Sequence, residues 1–337
     1  MLGTKKNILI LLLLVVTITL AGCSAGADPA AGEAEAGSMS KADNVEDRYK
    51  IEDKGETVTF DDGRGERIEL KKNPERVVVL MNSFVDIWVE NGGEMVGMVE
   101  DPNSVVPGTE SVETVGRFGS ISLEKVISLQ PDLVILSSNS KSSTEMIQPL
   151  EDNGIPIMAL TYEFKDDYFK ISRLFALVND RIDLYEKTAQ NVEKDISEII
   201  ERVPDEDNPT VLILFATSKS VSARGSLSTL GEMLNDLKTV NIAERDTLME
   251  TTQFSMEQVI AEDPDYILVQ TMGSDMEAIT ERLVSEVESN PAWSELSAVK
   301  NKNYVILPKD LYTYKANSRY GEAYEGLAKI LYPEVFN

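Results

Sequence analysis

Ser122-Leu123-Glu124-Lys125-Val126-Ile127-Ser128-Leu129-Gln130-Pro131-Asp132-Leu133-Val134-Ile135-Leu136 returns, in register and without a gap, as Ser255-Met256-Glu257-Gln258-Val259-Ile260-Ala261-Glu262-Asp263-Pro264-Asp265-Tyr266-Ile267-Leu268-Val269. Ser, Glu, Val, Ile, Pro and Asp coincide in the two copies. Each copy has the same physical reading. The serine caps a short helix by accepting from its unpaired N–H groups. The glutamate two residues on faces the positive end of the helix dipole. Proline stops the helix, and the apolar run that follows has the make-up of a strand buried on both faces. One such unit in each half of the chain predicts an α/β protein of two similar lobes.

The residues between the copies predict what joins them. From Asp166 to Val203, Phe169, Leu174, Leu177, Val178, Ile182, Tyr185, Ala189, Val192, Ile196, Ile199 and Ile200 recur near helical spacing, with no internal Pro or Gly. That predicts one connecting helix over 166–203, roughly 50 Å long if continuous. Pro204 to Pro209 ends it, and Val211-Leu212-Ile213-Leu214-Phe215 opens a second buried strand. On the N-terminal side, Thr57–Phe60 and Arg67–Leu70 flank Asp61-Asp62-Gly63-Arg64-Gly65, a hairpin signal. Asn73-Pro74-Glu75 closes the hairpin, and Arg76–Met81, Met95–Val99 and Ile155–Leu160 supply further strands. The reading is therefore an N-terminal lobe over 56–165, the connector, and a C-terminal lobe over 204–337, both lobes Rossmann-like with a cleft between them.

Composition removes whole classes of function. The 337 residues carry 32 Lys and Arg against 58 Asp and Glu, a formal charge of −26, with no His and one Cys. So acidic a chain is a poor partner for nucleic acid, whose non-specific binding runs on basic side chains. Without His there is no Ser-His-Asp triad and no histidine metal cage. With one Cys there is no intrachain disulfide and no thiolate zinc cluster. The carboxylates Asp61 and Asp62 lie in a hairpin turn, and Gly63-x-Gly65 lacks the helix that a phosphate loop needs, so an enzyme is not expected.

The first residues have their own signature. Lys5 and Lys6 precede an apolar run from Ile8 to about Leu20, followed at once by Ala21-Gly22-Cys23. This is a charged region, an apolar region and small residues before a cut, and the run is short for a membrane span of ~20 residues. Residues 1–22 read as a signal peptide. Residues 23–55 are dominated by small and acidic side chains and read as a flexible tether.

Leu20-Ala21-Gly22-Cys23 resembles a bacterial lipobox. That resemblance implies a diacylglyceryl thioether on Cys23 and attachment to the outer face of the cell membrane, as on a Gram-positive surface. From about residue 74 to 332 the chain resembles the helical-backbone (class III) substrate-binding proteins of ABC importers for iron–siderophore complexes, haem and cobalamin. The residues that carry this are Asn73-Pro74-Glu75-Arg76-Val77-Val78, the two repeats, the connector, and Trp293-Ser294-Glu295-Leu296-Ser297-Ala298-Val299-Lys300-Asn301. The resemblance implies a monomer whose lobes clasp one small ligand, and an ABC permease dimer with its ATPase as partners. It further implies that Glu124 and Glu257, one per lobe, dock arginine pockets on the permease; a role in stabilising the two helix starts is compatible with that.

Loops after strands supply the ligand-binding candidates: Asn82, Arg117 and Tyr162 in the first lobe, and Arg224, Met272, Tyr312, Tyr314, Lys315 and Arg319 in the second. Arginine forks suit carboxylate or catecholate oxygens and tyrosines stack on flat rings. Arg117, Arg224 and Arg319 are thus expected to form a local positive site for an anionic ligand. Three ligands stay open. An iron–siderophore complex needs no direct protein bond to the metal. Haem is suggested by Gln270–Glu277, which resembles the segment that presents an axial histidine in haem receptors, although here Met272 stands at that position. Cobalamin rests on the resemblance alone. The zinc and manganese receptors of the same architecture build their sites largely from histidine and are excluded. A surface scaffold without a ligand is the alternative of another class.

Overall fold

The computed structural model describes residues 48–101, 105–206, 208–244, 251–252 and 256–337. The leader 1–22, Cys23 and the second-copy cap Ser255 lie outside the described residues. Strands β1 (Glu52–Asp53), β2 (Thr57–Asp61) and β3 (Arg67–Lys71) form an antiparallel sheet with Phe60 opposite Ile68. The hairpin turn is fastened by Asp62, whose Oδ1 accepts the N–H groups of Arg64 at 2.8 Å and Glu66 at 3.1 Å. The tether expected to reach residue 55 ends sooner. Tyr49 and Ile51 are buried in the main core, β1 pairs with β2, and Arg48 bonds Asp166 at 2.9 Å. Two apolar side chains inside an otherwise small and acidic stretch are enough to bring residues 48–55 into the fold.

Two larger sheets follow. The first contains β4 (Val77–Val79), β5 (Gly97–Glu100), β6 (Glu113–Arg117), β7 (Ser120–Ile121), β8 (Leu133–Ser137) and β9 (Ile157–Leu160), in the order β7-β6-β5-β4-β8-β9. All its neighbours are parallel except β7 on β6. The second contains β10 (Thr210–Ala216), β11 (Val221–Arg224), β12 (Val240–Asn241), β13 (Thr251–Thr252), β14 (Tyr266–Thr271) and β15 (Tyr304–Ile306). Its order is β13-β11-β10-β14-β15, with β12 also on β10. β14 runs parallel to β10 and β15 to β14, whereas β11 lies antiparallel to β10.

The sequence repeat is a structural repeat. Ser122 Oγ accepts the N–H of Lys125 at 3.3 Å and caps the helix Leu123–Ser128. Gln130 and Asp263, equivalent in the two copies, both turn out of their helices with positive φ, 47° and 42°. The aspartate after each proline then fastens the start of the neighbouring strand. Asp132 accepts the N–H groups of Glu75 at 2.7 Å and Arg76 at 2.8 Å, just before β4. Asp265 accepts the N–H of Thr210 at 2.8 Å and its hydroxyl at 2.7 Å, where β10 begins. The registers match, with β8 beside β4 (Val134 opposite Val78) and β14 beside β10 (Ile267 opposite Leu212).

Alternation along these strands fills three cores. Val77, Val79, Leu133, Ile135, Met158 and Leu160 point to one side, Val78, Leu80, Val134 and Leu136 to the other. In the second lobe Val211, Ile213 and Leu268 face the core shared with the first lobe, and Leu212, Leu214 and Val269 face a separate one. The shared core is built around helix Lys165–Val178, whose Phe175 meets Trp88 edge-on at 5.0 Å. Asp167 starts that helix by accepting the N–H groups of Glu163 at 2.8 Å and Phe164 at 3.0 Å.

The connector differs from one continuous rod. It runs as Lys165–Val178, Ile182–Lys187 and Ala189–Arg202. The first break is a Schellman-type stop: Asp180 adopts φ 55°, its N–H reaches Leu177 O, and Arg181 N reaches Ala176 O at 2.7 Å. The position usually taken by glycine is filled here by aspartate, which the absence of Gly and Pro concealed. The second break is at Thr188, φ −107° and ψ −78°. Asp132→Ala and Asp265→Ala should each cost about 1–2 kcal/mol, the net worth of the bonds lost. The costs should add in the double variant because the sites share no partner. Urea unfolding midpoints check this.

Candidate functional site

A cavity of about 570 Å³ opens beyond the carboxyl ends of β4, β5 and β6, a volume usual for small-molecule sites. The strand order explains its place. The chain leaves β4 for β5 on one side and later returns to β8 on the other, so loops diverge there and leave a crevice. Asn82 follows β4, Glu100 and Asp101 end β5, and Arg117 and Phe118 end β6. The facing wall is the second-lobe segment from Asp310 to Arg319.

That segment is pinned by Asn317, which is buried and takes φ 51°, a conformation Asn tolerates better than most residues. Its Nδ2 donates to Asp86 Oδ2 at 2.8 Å and Ser83 O at 3.2 Å, and its Oδ1 accepts from the Tyr162 hydroxyl at 2.8 Å. Ser318 donates to Glu90, and Lys315 donates to Glu163 O and, at 3.0 Å, to Thr229 Oγ1. Lys315 also lies 4.8 Å from the Tyr162 ring centre. All of these contacts except that of Lys315 with Thr229 join the two lobes across the crevice.

Of the predicted contacts, Asn82, Arg117, Tyr314, Lys315 and Arg319 line this cavity. Asn82 keeps its side-chain oxygen buried without a hydrogen-bond partner among the described residues. Tyr162, Tyr312, Arg224 and Met272 do not line it. Tyr162 sits behind Lys315 and Asn317, and burial pushes its phenol well above its ordinary pKa. Tyr312 is buried with its hydroxyl on Ala323 O at 3.0 Å, and burial pushes its pKa up to about 12. Both are therefore neutral phenols at neutral pH. Arg224, on β11, stacks on Phe215 at 4.3 Å, and Met272 is half-exposed just past β14.

The expected positive site is corrected by the pairing. Arg117 shares its guanidinium with Glu100 at 3.2 and 3.3 Å. Arg319 meets Asp310 and Glu322, each at 2.7 Å. Sequence reasoning had no means to single out Asn317, Asp86 or Glu90, because each acts through a partner hundreds of positions away in the chain. Glu90 is set in a buried place beside Asp86. Burial raises its carboxyl to about 7, Asp86 adds to the rise, and the bond from Ser318 opposes it.

Residues 77–311 match the sequence profile of a family described as periplasmic binding protein. The uncharacterized ABC transporter substrate-binding lipoprotein YvrC of Bacillus subtilis is 28% identical over 96% of both chains. The Fe(3+)-citrate-binding protein YfmC of the same organism is 25% identical over 89% of both. In fold, the chain is similar to the crystal structure of an ABC transporter substrate-binding protein from Listeria monocytogenes EGD-e. There the TM-score is 0.65 at 22% identity, covering 78% of this chain and 100% of that one.

The Glu90 environment sets a pH dependence. Ionisation costs more in the folded chain than in the unfolded one, so this group stabilises the fold only at low pH. Its contribution should be lost as pH rises from about 4.5 through about 7. Glu90→Gln should therefore melt higher than the parent protein at pH 8 and close to it at pH 5, measured by thermal unfolding at the two pH values.

Proposed function

Because the chain belongs to the periplasmic binding protein family, we propose that it is a lipid-anchored extracytoplasmic receptor that captures an iron–siderophore complex and hands it to an ABC importer. The observation that carries this reading is the crevice itself. It is of ligand size, it lies at the strand ends where open sheets bind small molecules, and both lobes supply its walls. The chelator shell would be held by the crevice side chains, with Asn82, Tyr314 and Lys315 the main contacts and Arg117 and Arg319 at the rim. The iron needs no protein ligand in such a complex. The relative named for ferric citrate supports an iron chelate as the class of ligand.

Cys23 is the proposed attachment point, and its lipid would hold the receptor at the outer face of the membrane beside the permease and ATPase. Glu124 and Glu257 are the proposed docking residues. They are exposed, and they occupy equivalent places in the first turns of helices Leu123–Ser128 and Met256–Glu262. Such paired charges suit two arginine pockets on a two-fold permease.

Two measurements test this. Ferric siderophores should quench tryptophan fluorescence of the purified protein saturably, whereas a chain that binds no ferric chelate is not this receptor. Glu124→Ala with Glu257→Ala should leave that binding intact and abolish uptake in cells, and undiminished uptake would remove the docking role.

A further inference from the structure

We infer that the crevice selects a ferric chelate that is neutral or positively charged, of the trihydroxamate kind, over an anionic tricatecholate or citrate complex. The inference rests on the reading of the crevice as a site of ferric-chelate capture. It starts from the charges on the cavity wall. Asp86, Glu100, Asp101 and Asp310 are the acids among the described lining, and Arg117, Lys315 and Arg319 are the bases. The acids outnumber the bases, in a protein whose overall charge is −26.

Each base is also committed. Arg117 faces Glu100 through both guanidinium contacts, and Arg319 is shared between Asp310 and Glu322. Lys315 spends its ammonium on Glu163 O, Thr229 Oγ1 and the Tyr162 ring. An anionic guest would have to draw Arg117 and Arg319 from their carboxylates and then sit beside the carboxylates released. A neutral or cationic guest leaves the pairs in place, and a cationic one meets a wall of opposite sign.

The chemistry of the chelates divides along this line. Three hydroxamates surrender three protons and balance the ferric ion, and an ammonium arm on the chelator leaves the complex positive. Three catecholates surrender six protons and leave it triply negative. The rest of the lining suits the organic shell of any of them: Val85, Val99 and Val106 are apolar, and Phe118 and Tyr314 expose rings at the rim. Charge is therefore the feature that discriminates.

The purified protein is titrated by tryptophan fluorescence at low ionic strength with four ferric complexes: desferrioxamine B (cationic), ferrichrome (neutral), enterobactin (triply anionic) and citrate. At least one trihydroxamate should bind tenfold or more tighter than either anion, and the affinity of the cationic complex should fall as salt is added. Equal or tighter binding of the enterobactin or citrate complex overturns the inference and leaves siderophore capture standing. Binding of none of the four removes the reading on which it rests. Glu100→Gln with Asp310→Asn, whose carboxylates are exposed, releases Arg117 and leaves Arg319 with Glu322 as its one carboxylate partner, so two negative charges leave the cavity wall. The anions should then bind at least fivefold tighter, with the melting temperature checked to confirm folding. An unchanged preference in a folded variant overturns the assignment to these pairs.

Discussion

The main apolar core does not stop at the boundary between the lobes. Val77 and Val79 enter it from the first sheet and Val211 and Ile213 from the second, with helix Lys165–Val178 between them. Burying one large apolar side chain contributes about 1.5–3 kcal/mol. Drawing the lobes apart would expose many such groups together, so a wide hinge opening is opposed by the same contacts that hold the fold. The crevice is accordingly a pre-formed feature. A site formed before its guest arrives binds without the ordering cost of assembling one.

The crevice wall combines two grades of polar contact. The bonds of Asn317 to Asp86, Ser83 and Tyr162 are shielded from water, and orphaning one partner costs about 1–3 kcal/mol. The ion pairs of Arg117 and Arg319 are exposed and screened by solvent, so they contribute little to stability. The wall is thus firm at its centre and exchangeable at its rim. Selectivity read from the rim is a matter of sign and number of charges, whereas the shape of the crevice is set by the buried hub.

Much of this architecture was legible because its causes are local. β-branched runs such as Val77–Val79 and Leu133–Leu136 declare strands with two apolar faces, and the repeated Pro-Asp declares the turn before them. The clasp formed by Asp132 and Asp265 repeats because the local chemistry repeats. The connector misled because its first stop is carried by Asp180 in a left-handed conformation, without the glycine that signals such a stop. The tether misled because Tyr49 and Ile51 are buried in a core assembled from both lobes, which their small and acidic surroundings in the sequence do not declare. At the site, the cations were legible as residue types but their pairing was not. Arg117 meets Glu100 only because β5 and β6 are neighbours, and Tyr162 is withdrawn from the crevice by a bond to Asn317 across the lobes.

The docking of residues 48–53 bears on how soluble material is prepared. A protein trimmed to begin at the hairpin, near residue 56, would lose the apolar anchors Tyr49 and Ile51 together with β1. β2 would then become an unprotected sheet margin, the kind of surface on which strands of other molecules add. Aggregation of so short a version would reflect the trimming and not any property of the receptor.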